Sequence, residues 1–190
     1  MVEESKVITK EEMEHELDNI KYKRRYVKVM FNTIFVLMTV SAVAILLSTL
    51  FFPVLKIYGS SMTPTYYQDD LVVCLSSKNY DRGDIISFYY NNELLVKRVI
   101  ASEGEWVEVD KEGNLYIDDK LIKEEYIVDK ALGECDIEMP YQVPSGKYFV
   151  MGDHRSTSVD SRLEIVGCVE SEKIVGKILF KVWPIFDLDE

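Results

Sequence analysis

The chain has 190 residues, 29% of them charged, with 33 acidic residues against 22 basic ones and a formal net charge of −11. That sign opposes the phosphate backbone, so nucleic acid is excluded as a class of partner. Three cysteines, Cys74, Cys135 and Cys168, are too few and too scattered for a metal site or a disulfide framework. Cys74 and Cys168 lie inside apolar runs and read as small core residues, while an exported location leaves room for one bridge.

The first segment predicts a helix start. Thr9 with Glu12 forms a capping box, and Ile8 and Met13 fit the staple positions around it. Met13, Leu17 and Ile20 then share one face, opposite Glu14 and Asp18, and His15 reads as a surface residue. From Val29 to Leu55 the chain carries no charge, and its few polar residues include Thr33, Thr39 and Ser48. A helix over that stretch spans roughly 40 Å, more than the roughly 30 Å hydrocarbon core of a bilayer. Short hydroxyls can bond back to helix carbonyls, so they do not forbid insertion. Ala42-Val43-Ala44 resembles a signal-peptide cleavage site, but it lies in mid-span and the apolar run exceeds the roughly 7–15 residues of a signal h-region. The segment therefore reads as an anchor. Lys21, Lys23, Arg24, Arg25 and Lys28 crowd its N-terminal side, against Lys56 on the other, which predicts a cytoplasmic N-terminus.

This divides the chain into a cytoplasmic segment (1–28), a transmembrane anchor (29–55) and an extracytoplasmic domain (56–190). Residues 1–55 hold seven basic and seven acidic residues, so the whole net charge falls on the last part. The domain is long enough to bury a core of its own.

Past Leu55 stands Gly59-Ser60-Ser61-Met62-Thr63-Pro64-Thr65, with Ser61 six residues beyond that leucine. Small residues around a serine, then an apolar residue and a proline, describe a tight turn able to present one hydroxyl at the membrane surface. Strands are expected at Leu71–Leu75, Ile85–Tyr90, Leu94–Ile100, Trp106–Val109, Leu115–Ile117, Lys147–Met151, Ile165–Val169 and Ile174–Val182. Asn91-Asn92-Glu93 joins two of them as a hairpin, and Gly113-Asn114 and Pro144-Ser145-Gly146 are further turns. The fold class is mainly β, behind one N-terminal transmembrane helix. Lys97 sits in a strand with apolar residues on both faces. It reads either as buried with a lowered pKa, fit for a general base, or as an edge lysine snorkelling to solvent. In Gly152-Asp153-His154-Arg155-Ser156-Thr157-Ser158-Val159-Asp160-Ser161-Arg162, an extended second half places Ser158, Asp160 and Arg162 on one side, with the last two paired.

The chain resembles type I signal peptidases, the membrane-anchored Ser-Lys endopeptidases that remove signal peptides from exported proteins. The resemblance rests on the Gly59–Thr65 turn, on Arg82-Gly83-Asp84-Ile85-Ile86-Ser87-Phe88, on Lys97-Arg98-Val99-Ile100-Ala101, and on Gly152-Asp153 with Ser158–Arg162. Four such segments in the family's order after a single anchor are highly specific, and Gly59 with the compact ectodomain looks most like the Gram-positive branch. The resemblance implies Ser61 as nucleophile, Lys97 as general base, Ser158 as the serine that orients the lysine amine, and Asp160, Arg162 and Asp153 as its support. It implies an oxyanion site at the Ser61 N–H, and Ile57, Met62, Tyr66 and Val96 along shallow clefts for small side chains one and three residues before the cut. No cofactor and no metal are implied. The partners are signal peptides of exported preproteins and membrane lipid, and the oligomeric state is left open.

The chain departs from the family's usual pattern at His154, where Asn is customary, at Ser156, and at Ala101–Glu105 in place of a Pro-Gly-Asp turn. The stretch Asp110–Val143 predicts a trimmed second lobe. The competing reading is a non-catalytic homologue that binds an exported partner in surface-fibre assembly. Such proteins typically lose the serine or the lysine, and both are kept here.

Overall fold

The computed structural model describes residues 10–184 apart from Lys78. Ile8 and Thr9, expected to help cap the first helix, lie outside the described residues. The chain divides into two compact units, residues 1–48 and 49–190. The first is built on helix α1 (Lys10–Phe51), whose described side chains are exposed throughout. Its 42 residues rise about 63 Å at 1.5 Å each. By length and composition it can cross a membrane. The hydroxyls of Thr33, Thr39 and Ser48 donate to the carbonyls of Val29, Phe35 and Ala44 at 2.9, 2.9 and 2.7 Å, so they do not oppose insertion. The helix stops at Phe51 rather than at Leu55. Pro53 is the reason, because it disfavours helical geometry at the residue before it and cannot supply a helix N–H itself.

Residues 49–190 form a β domain. Its strands are β1 (Val54–Lys56), β2 (Leu71–Leu75), β3 (Ile85–Tyr90), β4 (Glu93–Ala101), β5 (Trp106–Val109), β6 (Leu115–Ile117), β7 (Lys120–Ile122), β8 (Tyr141–Gln142), β9 (Lys147–Met151), β10 (Val169–Glu170) and β11 (Ile174–Trp183). Among the described residues they make two antiparallel sheets: β1-β2-β11-β3-β4-β9-β10, and a smaller one, β7-β6-β5-β8. The smaller sheet draws β6, β7 and β8 from the stretch Asp110–Val143 and β5 from just before it. The hairpin between β3 and β4 closes on Asn91 and Asn92 alone, at φ 46° and 66°, a left-handed pair that matches the twist of the strands.

One apolar core, with Ile100, Val107, Leu115, Phe149 and Met151, fills the space between the sheets. Another gathers Ile57, Met62, Val72, Cys74, Ile85 and Ile178. Met62 is 2% exposed there, and burying such a side chain stabilises by roughly 2 kcal/mol. That burial pins the turn carrying Ser61 to the large sheet. The three cysteines are free thiols.

Two expectations need correction. Ile165–Val169 is not a strand: Leu163 accepts hydrogen bonds from the amides of Val166 and Gly167, Gly167 is left-handed (φ 59°), and only Val169 and Glu170 pair, with β9. Nor is 158–162 extended. The Leu163 amide donates to the Asp160 carbonyl at 3.0 Å, folding the segment into turns.

Candidate active site

The serine turn is held from below and from within. Gly59 takes φ 78°, a conformation that side chains resist. The Thr63 amide and hydroxyl both donate to the Ser60 carbonyl, at 3.1 and 2.8 Å, and the Tyr66 amide donates to the Met62 carbonyl at 2.9 Å. With Met62 buried, Ser61 is turned outward and is half-buried.

Strand β4 supplies the group facing it. Lys97 is 3% exposed, so it is not a snorkelling edge residue. Its Nζ lies 2.6 Å from Ser61 Oγ. Burial lowers its pKa to about 8, with Asp160 pulling it up, Arg162 pushing it down and Asp153 pulling it up. Burial dominates because a low-dielectric site penalises the ammonium and leaves the neutral amine untouched.

The loop after β9 packs beneath this pair. Gly152 has no room for a side chain: a Cβ there would stand 2.5 Å from the Ser61 carbonyl oxygen and 2.3 Å from Ser158 Oγ. Ser158 is 3% exposed, and its hydroxyl has no hydrogen-bond partner among the described residues. Asp160 is fully buried and accepts from the Gly152 amide at 3.0 Å and from Nε and Nη2 of Arg162, each at 2.8 Å. The pairing of Asp160 with Arg162 expected from sequence is present, on a turn instead of a strand. Asp153 takes Nε and Nη2 of Arg98 at 2.8 and 2.6 Å and the hydroxyl of Thr65. A buried charge pair of this kind resists the loss of either member by several kcal/mol, about 3–5 in typical cases.

His154, where the family's Asn was expected, has a definite place. Its amide donates to the Ser61 carbonyl at 3.0 Å, and its Nδ1 lies 3.0 Å from the Thr63 hydroxyl. Thr63 spends its one proton on Ser60, so Nδ1–H is assigned as the donor. His154 thus braces the serine turn at the Ser61 carbonyl and at the Thr63 hydroxyl. Ser156 is exposed.

A cleft of about 710 Å³ opens over Ser61 and Lys97, lined by Ile57, Met62, Leu95 and Val96 among others. Tyr66 packs against the adjoining core beneath that lining. Sequence reasoning assigned no role to Gly152 or Arg155 and did not single out Glu124. The close approach of Gly152 leaves no periodic signal, and Glu124 meets Arg155 across 31 residues.

A half-buried hydroxyl bonded to a buried, pKa-lowered amine, under an apolar cleft on a β domain, is an arrangement suited to nucleophilic catalysis. Residues 30–183 match the family described as "Signal peptidase, peptidase S26", and the chain belongs to it. It is similar to signal peptidase I of Bacillus amyloliquefaciens, 36% identical over 160 residues that cover 77% of this chain and 82% of that one. Signal peptidase I T of Bacillus subtilis is 33% identical over 158 residues, covering 76% and 81%. A crystal structure of a signal peptidase I from Enterococcus faecalis V583 is 32% identical, covers 55% of this chain and 100% of that one, and has a TM-score of 0.44.

Proposed function

We propose that this chain is a membrane-anchored serine endopeptidase that removes signal peptides from exported preproteins, with Ser61 as nucleophile and Lys97 as general base. One observation carries the assignment: Lys97 Nζ stands 2.6 Å from Ser61 Oγ in a site that lowers the lysine's pKa to about 8. An amine with that pKa is neutral in a usable fraction of molecules near neutral pH.

Neutral Lys97 takes the Ser61 proton as Oγ attacks the scissile carbonyl carbon. The oxyanion forms against the Ser61 N–H, and the lysine ammonium then protonates the departing amine as the C–N bond breaks. A water, deprotonated by the same amine, releases the acyl group and restores Ser61. Ser158 is assigned the orientation of the Lys97 amine. A buried hydroxyl left unpaired costs about 1–3 kcal/mol, a strain that fits a group reserved for a step of the reaction. Asp160 with Arg162, and Asp153 with Arg98, fix the loop beneath.

The apolar helix is the anchor and Lys21–Lys28 its cytoplasmic flank, so residues after it face outward. Small residues one and three positions before the cut are favoured, since Ile57, Met62 and Val96 wall the cleft and are already packed into or against the core. An intact Ser61–Lys97 contact disfavours the non-catalytic reading. The test is incubation of the detergent-solubilised protein with a preprotein, beside Ser61→Ala. Wild type should release the mature chain, and a bulky or charged residue in place of alanine just before the cut should stop it. Equal processing by Ser61→Ala refutes the assignment.

A further inference from the structure

The small sheet reaches back beneath the site. Just past β7, the Glu124 carboxylate is 2% exposed and receives two N–H groups of Arg155, Nη1 at 2.9 Å, and the hydroxyl of Tyr126. Arg155 is fully buried, and its Nε donates to the Gly152 carbonyl at 3.0 Å. Burial works against its charge, but the hydrogen bonds and the charge of Glu124 outweigh that and raise its pKa. The Tyr126 ring lies 3.9 Å from the guanidinium carbon of Arg98, which holds Asp153 and follows Lys97 directly in β4. Burial and the neighbouring carboxylate drive the Tyr126 phenol well above its ordinary range. Seven residues after Tyr126, Gly133 is wedged against the Arg155 carbonyl and the Arg162 guanidinium, so this strap follows the arginines along its length.

We propose that Glu124 and Tyr126 are positioning residues of the peptidase reaction, acting through Arg155 on Gly152 and through Arg98 on the strand that carries Lys97. The inference rests on the function proposed above. Gly152 is the reason the coupling is stiff. It fits between the Ser61 carbonyl and the Ser158 hydroxyl with no spare volume, so a shift of its own carbonyl is passed to both. Misplacement of reacting groups by about 1 Å can cost on the order of a hundredfold in rate.

The experiment uses the full chain in detergent, a preprotein substrate and three variants: Glu124→Gln, Tyr126→Leu, and the pair Glu124→Leu with Arg155→Met. Thermal melts, kcat and KM are measured for each. Glu124→Gln should lower kcat by about tenfold or more, with KM little changed. Tyr126→Leu should lower kcat less. Replacing a buried ion pair by apolar residues of similar size often restores stability, so the pair variant should melt near wild type yet stay slow, because Gly152 has lost its donor. If Glu124→Gln fails to fold, the pair variant decides alone. A folded pair variant with wild-type kcat, or a folded Glu124→Gln with wild-type kcat, overturns the inference. Wild-type protein that leaves the preprotein uncut overturns the functional reading and this inference with it, whereas an unimpaired variant beside active wild type overturns this inference alone.

Discussion

Replacing Lys97 by Met should abolish cleavage and yet make the protein harder to unfold near neutral pH. Lys97 is 3% exposed and its pKa falls from 10.5 to about 8 in the fold. At about 1.4 kcal/mol per unit, holding that side chain in the native state costs about 3 kcal/mol while the solvent is more acidic than the folded pKa. The direction follows from proton binding: the unfolded chain holds the lysine proton more tightly, so stability rises as pH climbs from about 8 towards 10.5. Met is unbranched, similar in reach and uncharged, so it removes the cost and forfeits about 1 kcal/mol for the hydrogen bond to Ser61. The variant should therefore gain about 1–2 kcal/mol near pH 7, shrinking to nothing or reversing as the medium approaches about pH 10. Pulse proteolysis of the full chain in detergent across urea, at neutral and alkaline pH, reads this gap. A Met variant less stable than wild type by the same amount at every pH would show that Lys97 carries no burial penalty, and the argument for a neutral amine would fall with it.

Other consequences concern turnover. kcat/KM should climb about tenfold per pH unit below about 8 and level off above it, and a flat profile on a substrate without titrating groups counts against Lys97 as base. Lys97→Arg should be inactive at every pH, since a guanidinium does not deprotonate in a protein. Ser61→Ala, Lys97→Ala and the double variant should lose similar activity, because the pair acts as a unit; additive losses in single-turnover assays would separate the roles. Gly152→Ala should slow cleavage by about a hundredfold, since its Cβ would stand 2.5 Å from the Ser61 carbonyl and 2.3 Å from Ser158 Oγ; wild-type rates would show that the loop can give way.

What was legible in the sequence was what repeats locally. Strands β2, β3, β5, β6 and β9 begin and end where alternation and turn residues place them. The Ser61 turn was legible because glycine, small residues and proline specify it within a few positions. The misreadings have local causes too. Ile165-Val166 looks like the start of a strand, but Gly167 and the turn on Leu163 take its backbone hydrogen bonds. Strands β1, β7 and β8 are two or three residues long, below the length at which a period can be counted. The supports of the site were hidden for a different reason. Glu124 meets Arg155 across 31 residues and Arg98 meets Asp153 across 55. Each is an ordinary charged residue in its own neighbourhood, and only the packing of one sheet on another turns them into partners.

Lys97 stands between these two kinds of residue. Its strand was plain from sequence, while its burial was not, because apolar neighbours on both faces suit a buried strand and an edge strand alike. The difference is made by β9, which pairs with β4 from Arg98 onward, while β3 covers the other side. Along β4 successive side chains point to opposite faces: Lys97 meets Ser61, and Arg98 meets Asp153. Register therefore decides which cation faces the nucleophile. That register is set at the hairpin, where Asn91 and Asn92 fill a two-residue turn and Tyr90 pairs with Glu93. A slip of one residue would turn Arg98 towards Ser61, substituting a guanidinium that cannot act as a base for an amine that can. Two left-handed asparagines, neither of them in the cleft, thus determine that the strand presents Lys97 to Ser61.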